Sequence, residues 1–279
     1  MKSKKITPVM KQFWDAKKQH SDSIMLFRMG DFYETFDEDA IIASDILGIT
    51  LTKRANGAAS SVPLAGFPYH SLDQHLHKLL NAGHRVAICE QVEDPKQAKG
   101  IVKREVVEVL SPGTAISSKF LNENENNFLA SFFLKNQDIG FCILDNSTGE
   151  FYCGESTFNR TRKIVDQYQI KEIIIPKSQE EKFIKIFKDN IMLTIYDDWK
   201  SDFDSCYNRL IKQFKCNSLK GYGIDSKKLS VIASGATLFY LDNNYFGKTN
   251  HITGLSQIID DGYMKIDDFT FRNLEIFES

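Results

Sequence analysis

"SIMLFRMGDFYETFDEDA", residues 23–40, can be read in two ways, and the choice governs how the rest of the chain is read. As a helix, the stretch puts Phe32 and Phe36 on one buried face and leaves Glu34 merely solvated. As extended chain its side chains alternate, so Phe32 and Glu34 point one way while Asp31 and Tyr33 point the other. The extended reading explains more, because the β-rich run "IMLF" comes first and Gly30 then permits a tight bend just before the aromatic pair. A ring and a carboxylate side by side on one strand face still have two meanings. Phe32 is either a core residue or part of a surface that receives a ligand, and the residues alone leave both open.

The flanking segments alternate between strands and helices. Upstream, "ITPVMKQFWDAKKQH" is an amphipathic helix, with Thr7 at the cap, Pro8 in the first turn and an apolar stripe of Met10, Phe13 and Trp14. Downstream, "DEDAIIASDILG" is a helix with acids in its first turn and Gly48 at its end. A short strand "ITLTKR" and a loop "ANGAASS" lead through "VPLAGFPYH" into the helix "SLDQHLHKLLNAG", and strands follow at "RVAICEQV" and "IVKREVVEVLSPGT". This predicts a mixed-sheet α/β domain over residues 1–115. The polar stretch "SSKFLNENENN" then predicts a linker at 116–127.

A second domain is expected over 128–247. "NFLASFFLKNQDIGFCILDNSTGEFYCGE" is a meander of three strands with turn residues at "NQDIG" and "DNSTGE". The helix-then-strand unit "FNRTRKIVDQYQIKEIIIP" and the helices "SDFDSCYNRLIKQF" and "SKKLSVIASGATLFYLDNNY" follow, an order that matches a ribonuclease-H-like arrangement. Residues 248–279 begin something the chain does not complete, read here as the helical start of a third domain.

Composition excludes several classes. The 279 residues, 42% hydrophobic and 26% charged, describe a globular chain long enough for two domains. No apolar run reaches the roughly 18 residues of a membrane span, and "MKSKKITPVM" lacks the apolar core of a secretory signal, so a cytoplasmic location is expected. Five cysteines (Cys89, Cys142, Cys153, Cys206, Cys216) without a CxxC pair read as reduced, mostly buried thiols. The net charge of -2 gives no global mark of a nucleic-acid binder. Basic residues nevertheless cluster at Lys2, Lys4, Lys5, Lys11, Lys17 and Lys18, and again at Lys96, Lys99, Lys103 and Arg104. Screening over about 8 Å lets such patches act locally, whether toward phosphates or as a solvated face.

Three chemical leads are weak. Gly247-Lys248-Thr249 ends like a phosphate-binding loop, but Asp242 stands where its first glycine belongs. Asp145 closes a strand as a metal-binding acid of a ribonuclease-H-type nuclease would, yet the following Asn146, Ser147 and Gly149 favour a turn. His70 and His77 can share a helix face, without a nucleophile or third ligand beside them.

An ordered series of motifs carries more weight: "TPVMKQFW", "FRMGDFYETF", "LTKR", "PLAGFPYHSLDQHLHKL", "GHRVAICEQVEDP", "VLSPGT" and "RNLEI". From about residue 6 to its end the chain resembles the N-terminal part of the bacterial MutS mismatch-repair family. The resemblance implies a mismatch-binding domain, a connector domain of ribonuclease-H-like fold and the opening of the lever and core region. It implies that Phe32 enters from the minor-groove side and stacks on a mispaired or unpaired base, while Glu34 hydrogen-bonds that base. Lys53 and Arg54 become candidates for phosphate contacts, and Leu64 and Pro68 for packing near the groove, while Tyr69 and His70 order a helix start. Asn208 and Arg209 fall where the family faces MutL, although they depart from the glutamine pair associated with that role.

The implied partners are duplex DNA with mismatches or small insertion/deletion loops, MutL, and a second copy in a full-length homodimer. ATP and Mg2+ are expected only with the family's ATPase domain, which lies outside this chain, so no catalytic activity, cofactor or metal is expected here. The alternatives are a metal-dependent nuclease acting through Asp145 and a protein-interaction module without a direct DNA role.

Overall fold

The computed structural model describes residues 7–55, 61–93, 100–114, 126–187, 191–245 and 249–258. Its first six-stranded sheet has the order β3-β4-β2-β1-β5-β6. Chain order runs α1 (Pro8–Gln19), β1 (Ser23–Met29), β2 (Phe32–Phe36), α2 (Glu38–Leu47), β3 (Thr52–Ala55), β4 (Ser61–Pro68), α3 (Leu72–Asn81), β5 (Arg85–Gln91) and β6 (Arg104–Leu110). The deciding stretch is extended: β1 and β2 form an antiparallel hairpin in which Met29 faces Phe32 and Phe27 faces Glu34. Gly30, at φ +60°, takes the first loop position, where primed hairpin turns need a positive φ.

Alternation along β2 sorts its side chains between two helical layers. On one face α1 inserts Met10 and Phe13 against Met25, Phe27 and Phe36. The Phe13 ring meets Phe36 at 4.8 Å and Phe27 at 5.7 Å, both edge-on. On the other face α2 and α3 bring Ala43, Leu47, Leu76 and Leu79 onto Leu26, Tyr33, Phe67 and Ile88. The core of the α1 face is built from β1, β2, β5 and β6, and toward β3 and β4 that face opens to solvent.

The second sheet has the order β11-β10-β7-β8-β9-β12. Its elements are β7 (Phe128–Lys135), β8 (Asp138–Asp145), β9 (Phe151–Thr157), α4 (Thr161–Gln167), β10 (Glu172–Pro176), α5 (Glu180–Ile184), β11 (Met192–Tyr196), α6 (Phe203–Phe214), α7 (Lys228–Tyr245) and β12 (Ser256–Gln257). β7, β8 and β9 are antiparallel, while β10 and β11 run parallel to β7, which is the ribonuclease-H-like pattern of a meander followed by crossovers. Phe183 of α5 and Ile164 of α4 cover one face, and Leu210 of α6 with Val231 and Ala236 of α7 cover the other. Ser256 and Gln257 pair with β9, and Ile252 and Leu255 are buried with the α6–α7 side.

Most of the expected linker, 115–125, and residues 259–279 of the expected third domain lie outside the described residues, as do Lys2, Lys4, Lys5, Lys96, Lys99, Gly247 and Lys248. Among the described residues no helix is long and apolar enough to cross a membrane.

The two sheets meet at a polar joint. Glu172 of β10 is fully buried and accepts from Ser111 Oγ, from Gly113 N at 3.2 Å, from Thr194 Oγ1 at 2.8 Å and from Tyr240 OH at 2.6 Å. Asn127 Nδ2 donates to Pro112 O at 2.7 Å and Asn146 Nδ2 to Thr114 O at 3.3 Å, so the turn "SPGT" is held by the second sheet.

Candidate nucleic-acid interface

Phe32 opens β2 on the face that α1 leaves bare. It is 48% exposed and, among the described residues, stacks on no other ring. Tyr33, one residue on, is 3% exposed. Register then sets the neighbours of Phe32: Pro68 lies opposite it, Gly66 opposite Glu34 and Leu64 opposite Phe36, with Thr52 beyond Leu64. Phe32, Glu34, Leu64, Gly66 and Thr52 line an open groove of 490 Å³ together with Gly48, Ile49 and Thr50. Gly66 is required by close approach, since a Cβ there would stand 2.9 Å from Tyr33 O and 3.4 Å from Glu34 Cγ.

The hairpin is held on both faces, by Tyr33 and Arg28 on one and by Arg104 and Gln91 on the other. Tyr33 OH donates to the Glu90 carboxylate, and burial together with that acid pushes the phenol's pKa well up. The Arg28 guanidinium lies 5.4 Å from the Tyr33 ring centre and 4.0 Å from that of Tyr69, whose N–H donates to Asp31 O at 2.9 Å. Arg104 Nε donates to Arg28 O at 2.6 Å. With its amide oxygen turned toward them, Gln91 accepts from Arg104 Nη2 at 3.2 Å and from Gly30 N at 3.1 Å. The position of Phe32 is thus fixed by its neighbours in the hairpin, and its ring is left for something else.

Glu34 is half-buried beside the groove, and Arg54 Nη1 donates to its Oε2 at 2.5 Å. Burial raises the pKa of its carboxyl above the usual value, and the charge of Arg54, its hydrogen bond and the more distant Arg104 only partly pull it back. The Arg54 guanidinium also lies 5.8 Å from the Phe36 ring centre. Lys53 alternates to the opposite side and is exposed. Leu64 lines the groove and Pro68 flanks Phe32, both half-buried. What the sequence reading missed here is the Glu34–Arg54 pair, which spans two strand registers and 20 positions of sequence.

Elsewhere the leads resolve into structure. Asp145 is fully buried: Oδ1 accepts from Ser147 N at 2.8 Å and Ser147 Oγ at 2.6 Å, and Oδ2 from Asn127 N at 3.1 Å. It is the anchor of a turn, and no group of His, Cys, Asp or Glu among the described residues could hold a metal ion. Asp242 is the bidentate partner of Arg209, at 2.7 and 2.8 Å. Arg209 therefore ties α6 to α7, whereas Asn208 is exposed. His75 of α3 stacks 4.1 Å from Phe67, and His77 Nε2 pairs with Asn81 Nδ2 at 2.8 Å within the same helix. The cysteines are free, four of them buried and Cys216 half-buried.

Family models for MutS domain I and MutS domain II match residues 7–119 and 127–253. The chain is 46% identical over 270 residues to a protein of Parabacteroides distasonis and 47% identical over 274 residues to one of Phocaeicola vulgatus. It is 45% identical over 270 residues to one of Porphyromonas gingivalis. All three are named DNA mismatch repair protein MutS. The matches cover 97%, 98% and 97% of this chain but 31%, 32% and 30% of the relatives, so the chain spans about a third of their length. With both of its sheets matched by successive domain models of one family, the chain belongs to the MutS family.

Proposed function

We propose that this chain is the mismatch-sensing part of a DNA repair protein, with Phe32 as an aromatic wedge and Glu34 as its discriminating partner. The supporting observation is the 48% exposure of Phe32, without a ring partner among the described residues, on a hairpin braced through Tyr33 on its other face. An aromatic face stacks on any base for about 1–3 kcal/mol and so senses weak stacking without reading sequence. A mispaired or unpaired step unstacks and kinks at lower cost than a paired one, so the bent, wedged state is populated at errors.

Glu34 supplies selectivity by an unfavourable term. An anion entering the negative potential of a groove opposes binding everywhere, and the opposition is lifted where a displaced base offers a donor or where the carboxyl takes up a proton. Its raised pKa, caused mainly by burial, favours the second route. Lys53 and Arg54 serve phosphates, and Leu64 and Pro68 form the apolar floor beside the wedge.

In the full-length protein the same chain works in a cytoplasmic homodimer that communicates with MutL, with exposed Asn208 the better placed of the two connector positions for such a contact. ATP and Mg2+ act through regions beyond this chain. A doubly end-labelled duplex tests the proposal by energy transfer, using the full-length protein. Bending of a G·T heteroduplex but not of its matched control, lost on Phe32→Ala, is expected. Equal bending of both duplexes, or bending that survives the substitution, refutes it.

A further inference from the structure

The ion pair between Glu34 and Arg54 gives the groove a second moving part. Arg54 stands on β3, the outermost strand, opposite Val62 of β4, and reaches Glu34 two strands away, where the β4 residue opposite Glu34 is Gly66. The two neighbouring cations of this face are held differently. Arg104 is fixed by the carbonyls of Arg28 and Val102, at 2.6 and 2.9 Å, and is no free phosphate ligand. Arg54 has Glu34 as its one hydrogen-bonding partner among the described residues, uses only Nη1 for it, and keeps 36% of its side chain exposed.

We propose that Arg54 is a shared cation, held by Glu34 in the free protein and on matched DNA and handed to a backbone phosphate when Glu34 turns to a displaced base. The inference rests on reading this groove as the DNA-facing site. Arg54 is then a positioning residue for Glu34 and a specificity determinant in its own right. A half-exposed ion pair is worth at most about 1 kcal/mol, so exchange for a phosphate oxygen is easy once the carboxylate has another partner. A guanidinium fork suits phosphate as well as carboxylate. On paired DNA there is no base donor to draw Glu34 away, so Arg54 stays with the acid and one phosphate contact is not made. Discrimination thereby comes from a contact withheld at sound sites, in addition to the wedge itself.

Salt dependence counts such contacts, since each phosphate neutralised steepens the plot of log affinity against log salt by about 0.9. Binding of the full-length protein to a matched duplex and to a G·T heteroduplex is measured across salt for wild type, Glu34→Gln, Arg54→Met and the double variant. Arg54→Gln replaces Arg54→Met if circular dichroism shows the latter unfolded. The wild-type slope should be steeper on the heteroduplex than on the matched duplex by about 0.9, and Glu34→Gln should steepen the matched slope alone by the same amount. Both differences should vanish without Arg54. A matched slope unmoved by Glu34→Gln, or moved equally with and without Arg54, overturns the hand-over. The second result would make direct repulsion between Glu34 and phosphate the whole effect. Loss of mismatch-dependent bending in the wild type would instead sink the functional reading, and is scored separately.

Discussion

Glu34 and Glu172 are both glutamates on strands of mixed sheets, and they are built for opposite ends. Glu172 sits at the joint between the sheets, wholly buried, and its two oxygens receive four donors drawn from both sides. Glu34 sits at the open groove, with one cation from an outer strand and a carboxyl that burial has made easier to protonate. A carboxylate whose lone pairs are all used fixes a structure, whereas one that is incompletely compensated can change partners. Asp145 belongs with Glu172, its oxygens taken by Ser147, Thr148 and Asn127.

The largest effect is expected from Glu172→Ala. It leaves two hydroxyls, the Tyr240 phenol and a backbone N–H without their acceptor, and each buried unsatisfied group costs about 1–3 kcal/mol. Urea denaturation should show a loss of about 3–5 kcal/mol. A loss below about 1 kcal/mol would mean that the joint does not need the acid. Asp145→Asn comes next. It places an N–H group where a carboxylate oxygen now accepts, so a loss of about 1–2 kcal/mol is expected, and addition of Mg2+ should change neither stability nor DNA integrity. Magnesium-dependent cutting abolished by the substitution would restore the nuclease alternative.

Glu34→Gln should affect stability least, and its sign sharpens the contrast. With its pKa raised, Glu34 contributes stability that is complete below the ordinary glutamate range and is lost as pH rises through the elevated value. The glutamine variant should therefore melt at the same temperature as wild type or higher at pH 7, with the difference narrowing or reversing toward pH 4. A variant clearly less stable at pH 7 would show that the Arg54 pair outweighs burial.

Much of this contrast could be read from the chain and some could not. The hairpin, the alternation of Phe32 and Tyr33 and the Gly48 helix end are local matters of period and backbone freedom, and the structure keeps them. The meander and its crossovers were equally local in "DNSTGE" and "KEIIIP". β4 was hidden because Pro63, Gly66 and Pro68 argue against a strand lying between two others, and only the registers with β2 and β3 reveal it. α5 and β11 were passed over in a charged stretch without clear period. The Glu34–Arg54 and Glu172–Ser111 contacts bridge 20 and 61 positions, so they follow from sheet order and docking and leave no mark on local sequence.

The most direct measurement is the ratio of dissociation constants for a matched duplex and its G·T heteroduplex at one fixed salt concentration, with full-length wild type and Phe32→Ala. Loss of stacking worth about 1–3 kcal/mol should weaken heteroduplex binding by about 5- to 150-fold, leave matched binding nearly unchanged and bring the ratio toward one. A ratio that survives removal of the ring, or an equal loss on both duplexes, would contradict the wedge.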